Sequence, residues 1–352
     1  MRFGHFCLPT YFADVDGPVD DFFRRFVEFL VESESLGFDS LWANEHHFDS
    51  YGGIIPSPLM LLSALAQRTK RVRLGTSIVV LPLHNPIEIA EQVAMLDVMS
   101  SGRAELGVGR GFVAYDYDRL GVPIENAQDR LKDGLAVIRK AWSGGRFSHE
   151  GPYYRYDQLE VWPQPQQKPH PPLWLSCSGT PASFEWAGTQ GLGILTVAYR
   201  GVDTLERLNK VYREAWNAAG HKPGGHEISV HYHVVIAEDA NEAKAIAREA
   251  VRRYVGATTH TTERVRSDAE REGNAVRDRV AQEVLDIDKM IATYRLLVGT
   301  PDEAVALLKR AHELMGFTQI DCTFYFGGIT FEQAQRSHHL FARDVMPRIR
   351  HL

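Results

Sequence analysis

Apolar residues recur along this chain in two alternating rhythms, and the alternation predicts the architecture. Short apolar runs at 2–8, 40–44, 72–80, 104–108, 173–176, 193–197, 228–236 and 320–326 read as strands. The run 72–80 is almost unbroken, the pattern of a strand buried on both faces. Between the runs, apolar positions return at helical spacing. Phe22, Phe26 and Leu30 form one stripe, stopped by Gly37. Leu131, Leu135, Ile138 and Trp142 form a second. Leu205, Leu208, Val211 and Ala215 form a third, with Asp203 and Glu206 as a capping pair. Helices are also predicted over 58–67, over about 86–99 and from 182 onward. Thr300-Pro301-Asp302-Glu303 joins an N-cap, a proline at the first helical position and a capping-box glutamate. A closing helix is expected over 331–345.

Each strand is followed by a helix, so the chain reads as an α/β (β/α)8 TIM barrel with insertions, a single domain over 1–352. A doubly wound open sheet would give a similar local alternation. Two stretches break the repeat. Residues 145–172, rich in Pro, Tyr and Gln, predict an insertion with a small hairpin. Residues 258–289 are densely charged and predict a mostly helical excursion of the kind that serves as a lid.

Composition narrows the partners. The net charge is 39 − 45 = −6 without a long block of one sign, which argues against nucleic acid and fits a small-molecule ligand. Cys7, Cys177 and Cys322 are widely spaced and lack a Cys-x-x-Cys or Cys/His ligand pattern, so reduced, buried thiols are expected. No apolar run approaches the roughly 20 residues that span a bilayer. The first residues read as a strand and not as a signal peptide, so no membrane and a cytoplasmic location are expected.

Candidate chemistry collects at predicted strand ends, where ligands of parallel α/β folds bind. Asn44-Glu45-His46-His47 follows the second strand. Neighbouring residues of an extended chain point to opposite sides, so one histidine faces a pocket while the other packs or orients it. A metal site would need further ligands, for which His231 and His233 are the suggestive pair, and no metal is expected. Gly107-Val108-Gly109-Arg110-Gly111 follows the fourth strand, with glycines for close approach and an arginine for an anion. It lacks the spacing of the dinucleotide fingerprint. Ser176-Cys177-Ser178-Gly179-Thr180-Pro181-Ala182-Ser183 joins a strand to a helix start, which is either ordinary capping or an anion site.

These phrases, taken in order, resemble the bacterial-luciferase-like family of flavin-dependent monooxygenases. The resemblance runs through Phe3-Gly4-x-Phe6, Glu34-x-x-Gly37-Phe38-Asp39, Glu45-His46-His47-Phe48, Leu74-Gly75-Thr76 and Leu81-Pro82-x-x-x-Pro86. It continues in Leu96-Asp97-x-Met99-Ser100-x-Gly102-Arg103, Gly107-x-Gly109-Arg110-Gly111, Glu185-Trp186-Ala187, Val298-Gly299-Thr300-Pro301 and Phe341-x-x-Asp344-Val345-Met346-Pro347.

The resemblance implies a two-component enzyme in which a separate NAD(P)H:flavin reductase supplies reduced flavin. Reduced FMN (FMNH2) is implied in preference to FAD or F420. With O2 it would form a C4a-hydroperoxide that oxygenates a small organic substrate. An F420-dependent hydride-transfer oxidoreductase or a non-catalytic flavin-binding relative would share the same barrel. Carried over residue by residue, His46 is the catalytic histidine, flanked by Glu45 and His47. Arg110 contacts the flavin phosphate, with Gly179, Thr180 and Ser183 at the helix start. Asn44 belongs to the cofactor site, and Ser77-Ile78 matches the non-prolyl cis peptide behind the isoalloxazine. Phe6, Phe48 and Phe112 are expected as substrate-pocket walls, and the assembly as a homodimer. Gly109 stands where the luciferase α chain has a reactive cysteine, and Gly179 where it has a glutamate, so light emission is not expected.

Overall fold

The computed structural model describes residues 1–263 and 285–352. Eight parallel strands close into a barrel: β1 (Arg2–Cys7), β2 (Ser40–Ala43), β3 (Arg73–Thr76), β4 (Ala104–Gly109), β5 (Leu173–Ser176), β6 (Gly193–Val197), β7 (Ile228–Ile236) and β8 (Gln319–Thr323). Each pairs with its successor and β8 returns to β1, where Gly4 stands opposite Asp321 on one side and Ser40 on the other. The expected barrel is therefore present.

Small residues inside it make room for large ones. A Cβ at Gly75 would run into the Trp42 indole, and one at Gly193 into Trp174. The two indoles meet edge to face, centroids 5.3 Å apart, and fill the barrel interior. The Leu96-to-Arg103 phrase turns out to be structural. The buried Arg103 guanidinium donates to the carbonyls of Ser100, Val72, Ala66 and Thr69, closing the turns between helices and strands below the barrel.

Four predicted elements differ in their bounds. The run 72–80 is broken: β3 ends at Thr76, and Val79–Val80 resumes beside Val108 and Gly109. The cis Ser77–Ile78 peptide lies in the break. There the Val80 N–H donates to the Glu45 carboxylate at 2.9 Å, so a side chain replaces a ladder partner. The helix Val202–Ala218 starts from Gly201, which leaves Asp203 inside its first turn, favouring the dipole without capping it. The last strand stops at Thr323. The closing helix Phe331–Leu340 passes through a π-turn, Phe341–Val345, into Met346–Ile349.

The first insertion contains the expected hairpin, Phe147–Glu150 against Arg155–Leu159, pinned to the barrel helix by His149 and Asp133 at 2.7 Å. Leu297–Gly299 adds a short strand on the outer end of β7, made possible by the nine-residue length of β7. The second insertion is entered by the helix Ala240–Glu263 and left by Ile287–Ala292, and its residues 264–284 lie outside the described residues. Cys7, Cys177 and Cys322 are buried and unpaired, as expected.

Candidate active site

The carboxyl ends of the strands surround one cavity of about 860 Å³. Asn44, Glu45 and His46 from the end of β2, Ser77 and Ile78 from the break after β3, and Arg110 from the end of β4 all line it. Thr180 and Ser183 from the helix after β5 complete that side. The predicted residues therefore converge, apart from Gly179 and Phe48, which are not among the lining residues.

Glu45 is almost fully buried and has only lone pairs to offer when ionised. Oε1 accepts from His47 Nε2 at 3.0 Å and from His84 Nε2 at 2.8 Å, and Oε2 from the Val80 N–H. Burial opposes its charge, but these donors outweigh burial and hold the carboxyl at about 2. His47 is thereby raised above its ordinary value, chiefly by its hydrogen bond to Glu45. His46 points the other way, into the cavity. Burial pushes it down to about 4, so at neutral pH it presents an uncharged imidazole. One histidine faces the pocket and the other orients, as the strand-end alternation predicts.

Around His46 stand Tyr51 (ring centroids 4.7 Å apart) and Phe112 (5.9 Å). Phe6 and Phe112 line the cavity as expected. Phe48 does not: its backbone turns left-handed (φ 59°) directly after the motif and carries the ring outward, where it is 49% exposed. The Asn44 amide donates to the Gly52 carbonyl at 3.4 Å, while its Oδ1 is buried at the cavity edge without a hydrogen bond.

The opposite end suits an anion. The helix Pro181–Thr189 begins at Thr180, whose hydroxyl makes no cap hydrogen bond and is available to a ligand, while Pro181 has no N–H and the Ser183 N–H is given to the Thr180 carbonyl at 2.9 Å. Arg110 reaches the same cavity, its loop held where Tyr117 Oη donates to the Arg110 carbonyl. Gly109 has no room for the cysteine of the luciferase α chain as the side chains stand, since a Cβ there would meet Ile78 Cδ1. Gly179 (φ 144°) sits beside the Arg200 side chain, its would-be Cβ 3.7 Å from the guanidinium carbon. Arg200 lines the cavity and is a cation that no motif announced. Asp116, Lys132, Tyr199 and Tyr254 were likewise invisible in the sequence pattern.

Among the described residues no three His, Cys, Asp or Glu side chains gather as a metal ligand set. His231 and His233 stand together on β7, ring centroids 4.9 Å apart, both kept uncharged by burial.

A closed parallel barrel with its polar residues gathered at the carboxyl edge is shared with known proteins. Residues 1–318 match the model of the luciferase-like monooxygenase family, and the chain belongs to that family. It is 28% identical to the oxygenase component of the flavin-dependent trigonelline monooxygenase of Acinetobacter baylyi, covering 92% of this chain and 89% of that protein. The crystal structure of monooxygenase RslO1 from Streptomyces bottropensis superposes with a TM-score of 0.84 at 30% identity, covering 99% of both chains. An F420-dependent secondary alcohol dehydrogenase superposes at 0.74 over 99% of this chain and 98% of that one. At 20% identity it shares the fold alone.

Proposed function

We propose that this protein is the oxygenase component of a two-component monooxygenase that takes reduced FMN from a separate NAD(P)H:flavin reductase and uses O2 to oxygenate a small organic substrate. The observation that carries this reading is the pairing, across one cavity, of an anion-binding end with a neutral histidine. Arg110, Thr180 and Ser183 would hold the phosphate, and Ser77, Ile78 and Asn44 the ring system. The buried, unpartnered Asn44 Oδ1 is an acceptor such a ring N–H could satisfy. When bound, the flavin supplies the electrons that activate oxygen. The protein's part is to orient it, to exclude water, and to keep His46 uncharged beside it as a hydrogen-bond partner. Glu45 positions this edge through His47, His84 and Val80.

Membership of a monooxygenase family supports oxygen chemistry over hydride transfer. No described helix is long and apolar enough to cross a membrane, which fits a cytoplasmic enzyme. The exposed Met60, Met95, Val98 and Met99 on the adjoining helices Pro58–Arg68 and Pro86–Met99 fit a homodimer interface.

Anaerobic titration with reduced FMN tests the reading. Arg110→Ala is expected to weaken binding by about 1.5–3 kcal/mol, the range for a hydrogen bond to a charged group. Unchanged affinity removes Arg110 from the site. If F420 binds and reduced FMN does not, the oxygenase reading fails.

A further inference from the structure

On the far side of the cavity from Arg110 and Thr180, running from β7 past β8 and β1 to the loop after β2, the wall is a chain of touching rings. His46 meets Tyr51 (centroids 4.7 Å apart), Tyr51 meets Tyr254 (5.4 Å), and Tyr254 meets His233 (4.6 Å). His233 then meets His231 (4.9 Å), and His231 meets Phe6 (4.5 Å). Every one of these side chains lines the cavity. Mostly tilted or edge-on contacts of this kind offer both ring faces and ring edges to a flat guest.

One member of the belt has a defined polarity. His231 Nε2 lies 2.9 Å from Thr323 Oγ1, and Thr323 donates its own proton to the Phe6 carbonyl at 3.0 Å. A hydroxyl that has given its proton away can only accept here, so the hydrogen sits on Nε2 of His231. Burial keeps the ring neutral, at about 3. Nδ1 is therefore a lone-pair acceptor on a side chain that lines the cavity. A purely aliphatic guest would leave it unmatched, and a carboxylate would present like to like.

We propose that the substrate is a hydroxyl-bearing aromatic ring system, seated against this belt with its O–H donated to His231 Nδ1. The proposal rests on the flavin taking the Arg110–Ser183 end, and it names the class of molecule that fills the remainder.

Binding of 2-naphthol, 2-methoxynaphthalene and 2-naphthoate, followed by ligand fluorescence, tests it on the intact protein with and without reduced FMN under anaerobic conditions. The expected order is 2-naphthol tighter than either analogue by about tenfold or more, the worth of one matched hydrogen bond. His231→Phe should bring the naphthol-to-methoxynaphthalene ratio close to one. Thr323→Val, which frees the tautomer while leaving the ring, should narrow that ratio and guards against a misfolded His231 variant. Equal affinity for naphthol and its methyl ether in the wild type, tightest binding of 2-naphthoate, or a ratio unchanged in both variants overturns the proposal. So does displacement of bound reduced FMN by 2-naphthol, which would give the belt to the flavin. Failure of reduced FMN to bind at all would instead remove the flavin reading, and the naphthol ratio would still report on His231.

Discussion

At the scale of single residues, Glu45 is a buried carboxylate kept charged by the three donors around it. Its carboxyl is held at about 2 against an ordinary 4.5, so the folded state gives up its proton more readily than the unfolded chain. The stability from this group is complete above about 4.5 and is lost as pH falls through that window toward 2. Glu45→Gln is expected to destabilise the fold by about 1.5–3 kcal/mol at pH 7, because the Val80 N–H then competes with an amide N–H for one place. It should also flatten the acid limb of stability in urea titrations run from pH 6 to 3. An acid limb as steep as in the wild type would contradict the assignment. His46→Ala, by contrast, should leave stability near the wild-type value and raise the H2O2 released per reduced FMN consumed. Of this site, Asn44 to His47, Arg110 and Thr180 were legible because polar residues stood where apolar strands ended. His231 and His233 stand out in the sequence as a suggestive ligand pair, and in the structure they form part of a wall of rings. Tyr51, Tyr199 and Tyr254 carried no signal, since they come from loops and a helix whose approach to the mouth is a tertiary fact. Phe48 was misplaced because a left-handed residue cannot be read from a phenylalanine.

Local rules decide the elements well where they are self-contained. The Thr300–Glu303 box forms as its sequence predicts: Thr300 Oγ1 accepts from the Glu303 N–H at 3.3 Å, and Glu303 Oε2 from the Thr300 N–H at 2.8 Å. Thr300→Ala should therefore cost about 1 kcal/mol by chemical denaturation, with reduced-FMN affinity unaltered. A cost near zero would mean that packing of Val305 and Leu308 alone holds the helix Pro301–Met315. All eight barrel strands were predicted within a few residues, because strands buried on both faces leave a dense apolar trace. The break at Ser77–Ile78 has only a faint trace in the apolar pattern, where Gly75-Thr76-Ser77 interrupts the run. Just past the end of β2, Glu45 takes the Val80 amide there, and only the family resemblance pointed to the cis peptide. Asp203 does not cap its helix because Gly201, two residues before it, takes the N-cap position at φ 81°.

For the whole molecule, the exposed apolar strip is the feature on which the proposed homodimer rests. Met60 is 76% exposed, and Val98 and Met95 are each 47% exposed, on helices that lie side by side. Val98→Glu combined with Met60→Glu should convert a dimer to a monomer in light scattering, with the barrel's circular dichroism retained. A wild-type protein that is already monomeric at micromolar concentration would rule the homodimer out. The three cysteines add a different consequence. Cys7 ends β1, Cys177 follows β5 and Cys322 lies in β8, each essentially without solvent contact, and burial raises all three thiols above their ordinary range. No alkylating reagent reaches them through the cavity mouth unless strands part. Thiol labelling of the unmodified chain is thus a clock for barrel opening, with two marks at the β8–β1 seam and one at the far side, recording whether the ring opens at one joint or all at once.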